Sequence, residues 1–147
     1  MTDRTPIGRR HLIAAALGLG AGALWPRAAG AAPPPEAMML WPGTPPGGPA
    51  PTVIEATSPK GSLTGITQPR LNLHHPDRRN GTAILVMAGG GYAHLESGHE
   101  SAPACRWLAG LGILAAELIY RLPADGWPSE APFQDAQRAL RVLERCF

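Results

Sequence analysis

Cysteine is scarce in this sequence, where Cys105 and Cys146 are the only two among 147 residues. Two thiols can form at most one disulfide in an oxidising compartment, so a disulfide framework is excluded, and no zinc-site spacing is present. The alternative is two half-buried thiols on helix faces. The adjacent pair His74-His75 stands without other ligand types and does not indicate a metal site. We predict neither a metal nor a cofactor.

The chain also lacks a long hydrophobic run and a basic domain. Its amino-terminal apolar stretch, Leu12–Leu24, has 13 residues, fewer than the roughly 20 that a membrane-spanning helix needs. Four arginines against one aspartate give residues 1–31 a charge of +3, so the rest of a chain with net charge +2 carries −1. We therefore predict no permanent membrane anchor and no nucleic-acid partner.

Residues 1–31 have the successive features of an export signal: a basic start, an apolar stretch and a small-residue site. Arg9-Arg10 before the apolar stretch resembles the twin-arginine signal, although an ordinary secretory signal can also hold two arginines. Ala29-Gly30-Ala31 fits the pocket of a signal peptidase. We predict cleavage after Ala31 and a periplasmic or extracellular location.

The part that follows the leader divides into an arm and one domain. Residues 32–51 are rich in proline and glycine, which indicates an extended arm, with Trp41 packing against the domain. Residues 52–147 form the domain, in which Thr52–Ala56 and Arg70–Leu73 are predicted as two short early strands.

The rest of the domain has an α/β pattern. Thr82–Met87 is a continuous apolar run, typical of a strand covered on both faces. A predicted helix at Glu100–Leu111 and a second apolar run at Ile113–Tyr120 complete a strand–helix–strand unit, which favours a parallel sheet. Pro132–Phe147 is predicted as a surface helix.

The spacing of apolar residues predicts which face of each helix packs on the sheet. These positions are Ala104, Trp107, Leu108 and Leu111 in the first helix, and Phe133, Ala136, Leu140, Leu143 and Phe147 in the second.

Three consecutive glycines, Gly89-Gly90-Gly91, separate the first buried strand from the first helix. Glycines in such a position usually allow the backbone to approach a ligand closely. Nucleotide binding is disfavoured because a dinucleotide fingerprint starting at Gly89 would need glycine at His94, and no GxxxxGK[ST] pattern is present. The other candidate is an oxyanion hole, in which backbone amides stabilise a developing negative oxygen.

Four segments in order resemble the α/β-hydrolase esterases related to acetyl-xylan esterases and hormone-sensitive-lipase-like carboxylesterases. They are Gly89–Tyr92, Trp107–Ile113, Tyr120–Pro123 and Pro132–Ala139. The resemblance implies that Gly90 and Gly91 supply oxyanion-hole amides and that Tyr92 lines the substrate entrance. It also implies structural roles for Tyr120, Arg121 and Asp135, which tie the strand end to the following helix, although stabilisation of the helix dipole would by itself explain Asp135.

The sequence departs from this family in two respects. Ala88 stands where the family usually has His or Pro, and no G-x-S-x-G nucleophile elbow is present anywhere in the chain. The nearest pairing of a serine with a histidine, Ser97 with His99, is better explained as a loop and helix start. We therefore expect no catalytic residue, an incomplete α/β-hydrolase sheet in a truncated chain, and an unpaired edge on Thr82–Met87 that favours partial folding.

Three functional hypotheses follow. The first is a secreted hydrolase of acyl or acetyl esters, whose substrate is a small ester or an acetylated glycan and whose present chain is inactive alone. The second is a non-catalytic exported carbohydrate-binding protein that uses Trp41, Tyr92 and Trp127 as sugar contacts. In the third, a partner chain supplies the missing catalytic residues.

Overall fold

The computed structural model describes residues 34–146, so the predicted export signal lies outside the described residues. Six strands and two α-helices form the domain: β1 Glu36–Met39, β2 Ala56–Thr57, β3 Leu63–Thr64, β4 Arg70–His74, β5 Ala83–Met87, α1 Ala102–Gly110, β6 Leu114–Ile119 and α2 Ala131–Cys146. A π-helical turn, Ser97–Ser101, leads directly into α1, and a 3₁₀ turn, Pro123–Asp125, follows β6. None of the helices within residues 34–146 combines the length and apolar character needed to cross a membrane.

Four of the strands form one mixed sheet in the order β1-β4-β6-β5. β5 and β6 are parallel and are connected through α1, which confirms the predicted strand–helix–strand unit. β1 and β4 pair antiparallel, as do β4 and β6. The architecture is therefore α/β, but the sheet is mixed rather than parallel throughout.

The proline-rich arm contributes a strand of its own. β1 lies at the edge of the sheet, where Glu36 faces Leu73 and Met39 faces Arg70. The early strand predicted at Thr52–Ala56 is wrong, because the Val53 amide bonds the Pro51 carbonyl in a tight turn and so leaves no regular ladder. A small antiparallel hairpin of β2 and β3 follows instead. The strand predicted at Arg70–Leu73 is confirmed as β4.

The two apolar runs differ in burial. Every residue of β6 is buried, as its continuous hydrophobicity predicts. β5 is at most half-buried along its length, so the prediction of a strand covered on both faces is wrong for it. The reason is position: among the strands described, β5 pairs with β6 alone and forms an edge of the sheet.

The buried face of α1 is not the one that apolar spacing predicts. Trp107 and Leu111 are exposed, whereas Ser101, just before the helix, and Cys105 are buried. Ser101 donates a hydrogen bond to a buried carboxyl group, which turns this side of the helix inward. Cys105 has a free thiol, and burial raises its pKa to about 12.

In α2, too, the prediction of the buried face is only partly right. Leu143 is buried as expected, but Phe133 and Leu140 are exposed. The inward side instead carries Asp135 and Ala139. A buried ion pair at Asp135, described below, fixes the rotation of this helix, and a pattern of apolar residues cannot reveal such a constraint.

Candidate functional site

The glycine segment forms a strained loop at the carboxyl end of β5. Gly90 has φ of +128° and Gly91 has φ of +62°, both in the region that favours glycine. Tyr92 follows with φ of +63°, which is rare for a bulky side chain. The strain at Tyr92 costs about 1–3 kcal/mol, and strain of this kind concentrates at active sites and ligand-binding segments.

Three successive amide groups of the loop have no acceptor within residues 34–146: those of Gly90, Gly91 and Tyr92. The neighbouring polar groups are used internally, since the Ala93 amide donates to the Gly90 carbonyl at 3.1 Å and the Glu96 amide donates to the Gly89 carbonyl at 3.1 Å. The loop therefore holds its own turn together while leaving successive N–H groups, including those of Gly90 and Gly91, without an internal acceptor, as an anion-binding nest requires.

Two side chains anchor the start of the loop. The Glu100 carboxylate accepts a hydrogen bond from the Gly89 amide at 2.7 Å. The Tyr120 hydroxyl donates to the Ala88 carbonyl at 2.9 Å, and burial raises the pKa of that hydroxyl. Because the group used at Ala88 is its backbone carbonyl, the departure from the family at this position leaves the anchor in place. The sequence analysis did not assign a role to Glu100.

A cleft of about 360 Å³ lies beside the loop, between β5 and the start of α2. Its walls are mainly apolar and comprise Met87, Ala88, Gly89, Gly91, Tyr92, Tyr120, Pro132, Phe133 and Ala136. Tyr92 is about half exposed at this cleft, in the setting that the resemblance implies for it. Gly91 lines the cleft, whereas the neighbouring Gly90 packs closely against the backbone of His94.

Arg121 and Asp135 tie the end of β6 to α2. Both are fully buried, and Arg121 donates from its backbone amide, Nε and Nη2 to the Asp135 carboxylate. Trp41 Nε1 also donates to Asp135, at 2.8 Å, which secures the arm as predicted. Helix-dipole stabilisation therefore does not suffice to explain Asp135, whose principal partner is a buried cation.

The tryptophans proposed as sugar contacts are engaged in the structure. The Arg121 guanidinium lies 4.8 Å from the ring centre of Trp127 and 6.0 Å from that of Trp41. Trp127 is buried, and its Nε1 donates to the Ile66 carbonyl at 2.8 Å. Of the three aromatic residues proposed to bind sugar, Tyr92 lines the cleft beside the glycine loop, Trp41 lines a different cleft, and Trp127 is buried.

A second buried polar cluster surrounds Glu117 in the middle of β6. Its Oε1 atom accepts hydrogen bonds from the hydroxyls of Ser97 at 2.6 Å and Ser101 at 2.5 Å. Its Oε2 atom accepts one from Asn72 at 2.9 Å. Ser97 is therefore a structural residue of the π-helical turn, in agreement with its predicted place at a helix start. The signal for this cluster was the one charged residue in an otherwise apolar strand.

The adjacent histidines have separate partners, so they form no shared site. His75 contacts Glu36 at 3.0 Å on the surface. His74 is mostly buried, and its Nε2 lies 3.9 Å from Glu117 without a hydrogen-bond partner. Burial is the main cause that lowers the pKa of His74. Within residues 34–146, no group of three His, Cys, Asp or Glu side chains is arranged to hold a metal ion.

The chain was compared with known protein families, sequences and solved structures. No protein-family model matches the chain. Over 68 residues it is 34% identical to an acetylxylan esterase of Xylanibacter ruminicola, a match that covers 46% of this chain and 14% of the relative. The solved structure of an acetyl ester-xyloside bifunctional hydrolase from Caldicellulosiruptor lactoaceticus is similar with a TM-score of 0.53 and 29% identity.

This chain is similar to part of known esterases. The structural similarity covers 78% of this chain and 37% of the Caldicellulosiruptor protein. The chain thus spans well under half the length of either relative. The structural similarity agrees with an α/β fold.

Proposed function

We propose that this chain is the amino-terminal part of an exported α/β-hydrolase esterase and that it supplies the oxyanion hole of the active site. The observation that carries the proposal is the pair of free amides at Gly90 and Gly91, beside an apolar cleft at the carboxyl end of β5. Active sites of α/β sheets lie at this end of their strands. The similarity to esterases adds independent support.

The chemistry assigns these amides one task. When a serine oxygen attacks an ester carbonyl, the carbonyl oxygen gains a negative charge in the tetrahedral intermediate. Two fixed N–H donors stabilise that charge without reorganising, and each is worth about 2.7–4 kcal/mol in known enzymes. The histidine takes the serine proton during the attack and gives it to the alcohol when the bond to the alcohol oxygen breaks, and water then releases the acid from the acylated serine. This sequence contains no G-x-S-x-G elbow, and we assign the nucleophile, its acid and its histidine to a continuation of the chain.

The finer points of the proposal concern the substrate and the location. The relatives act on acetylxylan and on acetyl ester and xyloside substrates by their names, so an acetylated glycan is the substrate class that we propose. The export signal at residues 1–31 would deliver the protein to where such polymers occur. A role as a sugar-binding protein without catalysis is less well supported, because Trp127 is buried and its Nε1 donates to the Ile66 carbonyl.

The DNA beyond the Phe147 codon tests this proposal. We expect one of the three reading frames to encode G-x-S-x-G, followed by an acidic residue and then a histidine in that order. The isolated chain should not hydrolyse p-nitrophenyl acetate above the buffer rate. The proposal fails if no frame continues with such a pattern, and xylan binding by the purified chain without hydrolysis would then favour the carbohydrate-binding hypothesis.

A further inference from the structure

Glu117 is a carboxyl group placed where a strand residue would normally be apolar. It lies in the middle of fully buried β6, with Asn72 of β4 and Val86 of β5 as its cross-strand neighbours. Burying such a group is costly unless hydrogen bonds compensate it. The Glu117 carboxylate accepts three hydrogen bonds, all from side chains, and two of the three donors belong to one short segment.

That segment is the π-helical turn Ser97–Ser101. Ser97 opens the turn and Ser101 closes it, and both hydroxyls bond the same oxygen of Glu117. The two ends of the turn are thereby fixed to the centre of the sheet. π-Helical turns have one residue more per turn than an α-helix needs, and they are frequent at functional sites.

Glu100 belongs to the same turn and is exposed. Its carboxylate receives the hydrogen bond from the Gly89 amide, which is the first amide of the glycine loop. Pinning both ends of the turn fixes the direction in which Glu100 points. An ordinary α-helical turn would rotate Glu100 by a large fraction of a turn and move its carboxylate away from Gly89.

We propose that Glu117 is a positioning residue for the glycine loop, acting through Ser97, Ser101 and Glu100. The chain of contacts runs from the buried carboxyl group to the π-helical turn, and from the turn to the Gly89 amide. The orientation of the Gly90 and Gly91 amides follows from this fixed start. A role of this positioning in catalysis rests on the proposed function. The positioning itself is a property of this chain, and it can be measured without an ester substrate.

Hydrogen exchange of the Gly89 amide in the 15N-labelled chain tests the positioning. The main variant combines Ser97→Ala, Ser101→Ala and Glu117→Leu, which removes the buried carboxyl group together with its two serine donors and leaves Asn72 in place. We expect exchange at Gly89 to accelerate by about tenfold or more, as for a lost charge-assisted hydrogen bond. Amides of β6 should keep their protection, because the core itself stays packed.

A second pair of variants acts at the other end of the contacts. Glu100→Ala should accelerate exchange at Gly89 as the triple variant does, whereas Glu100→Gln should preserve protection because its amide oxygen still accepts. Glu117→Gln should likewise preserve it, since Asn72 can turn its amide to match. Glu100 is exposed, so neither Glu100 variant depends on refilling the core.

Three results would overturn the proposal. The first is an unchanged exchange rate of the Gly89 amide in the triple variant or in Glu100→Ala. The second is a triple variant in which β6 and Gly89 lose protection together, because the cluster would then serve the fold as a whole. The third is a wild-type Gly89 amide without protection. None of these depends on esterase activity, so failure of the proposed function is a separate result.

Discussion

Arg121 Nη2 lies 2.8 Å from Asp135 Oδ1, and neither side chain is accessible to solvent. This ion pair joins the second residue after β6 to the first turns of α2 and also holds Trp41 of the arm. The pair is well compensated, because the Pro46 carbonyl accepts from Arg121 Nη1 and the indole of Trp127 covers the guanidinium. Three segments of the chain therefore depend on one carboxylate.

Removal of the Asp135 carboxylate should strongly destabilise the fold. We expect Asp135→Ala to lower the free energy of unfolding by about 3–5 kcal/mol, because the Arg121 charge would remain buried without its partner. Gln137→Ala, at an exposed position of the same helix, is the control and should change stability by less than about 0.5 kcal/mol. Urea unfolding followed by tryptophan fluorescence measures both. Equal midpoints for the two variants would contradict the account.

The glycines of the loop should differ in their tolerance of a side chain. A Cβ atom at Gly90 would overlap the carbonyl oxygen of His94, whereas a Cβ atom at Gly91 meets no neighbour. We expect Gly91→Ala to cost about 1–2 kcal/mol, for the left-handed backbone alone. Gly90→Ala should cost about 3 kcal/mol or more, because strain and overlap add. Denaturant unfolding of the two variants checks the order, and a larger loss for Gly91→Ala would disprove it.

His74 should make stability depend on pH. Burial, assisted by the charge of Arg106, lowers its pKa below the ordinary value of 6.5, and Glu117 opposes this shift. The unfolded chain therefore binds more protons than the folded one between the lowered pKa and 6.5. The contribution of neutral, buried His74 to the free energy of unfolding is therefore fully present above pH 6.5, and it is lost as the pH falls towards the lowered pKa.

A His74→Phe variant isolates this effect, because it keeps an aromatic ring and removes the titration. We expect the free energy of unfolding of the variant to fall less between pH 7 and pH 5 than that of the wild type. Urea unfolding at several pH values measures the difference. Parallel pH profiles for the two proteins would mean that His74 does not titrate in this range.

Self-association of the isolated chain should involve the cleft side of β5. Met87, Tyr92 and Phe133 are exposed there and line the same apolar cleft, next to a strand edge that pairs with nothing in the described part of the chain. Such a surface favours association. Phe133→Lys should shift the chain towards monomer in sedimentation velocity, and Gln137→Lys on the outer face of α2 should not. An equal effect of both variants would place the association elsewhere.

The parts of the fold that the sequence predicted best have a simple periodic or compositional signal. β6 is a long apolar run that is buried on both faces, and the unit from β5 to β6 follows from two such runs around a helix. The glycine loop was recognisable because three successive glycines after a strand need a reason. The structural roles of Arg121 and Asp135 were implied by the resemblance to the esterases, and no pattern of spacing indicated that the two side chains form a buried ion pair.

The parts that were missed depend on long-range polar pairing. The orientation of α1 follows from Ser101 and Glu117, and that of α2 from Asp135, so apolar spacing chose the wrong faces for Trp107 and Phe133. The role of Glu100 depends on a π-helical turn, which has no sequence pattern of its own. The exposure of β5 depends on which strands surround it, and an apolar run looks the same at an edge and in the centre.

Ester hydrolysis by a completed protein tests the central claim most directly. Residues 34–146 would replace the matching segment of the Caldicellulosiruptor hydrolase, and p-nitrophenyl acetate would be the substrate. The account predicts turnover, with kcat lowered about 10²–10³-fold by Gly90→Ala at little change in KM, because the disturbed amides act on the transition state. A folded joined protein without turnover, or one whose kcat is unchanged by Gly90→Ala, would contradict it.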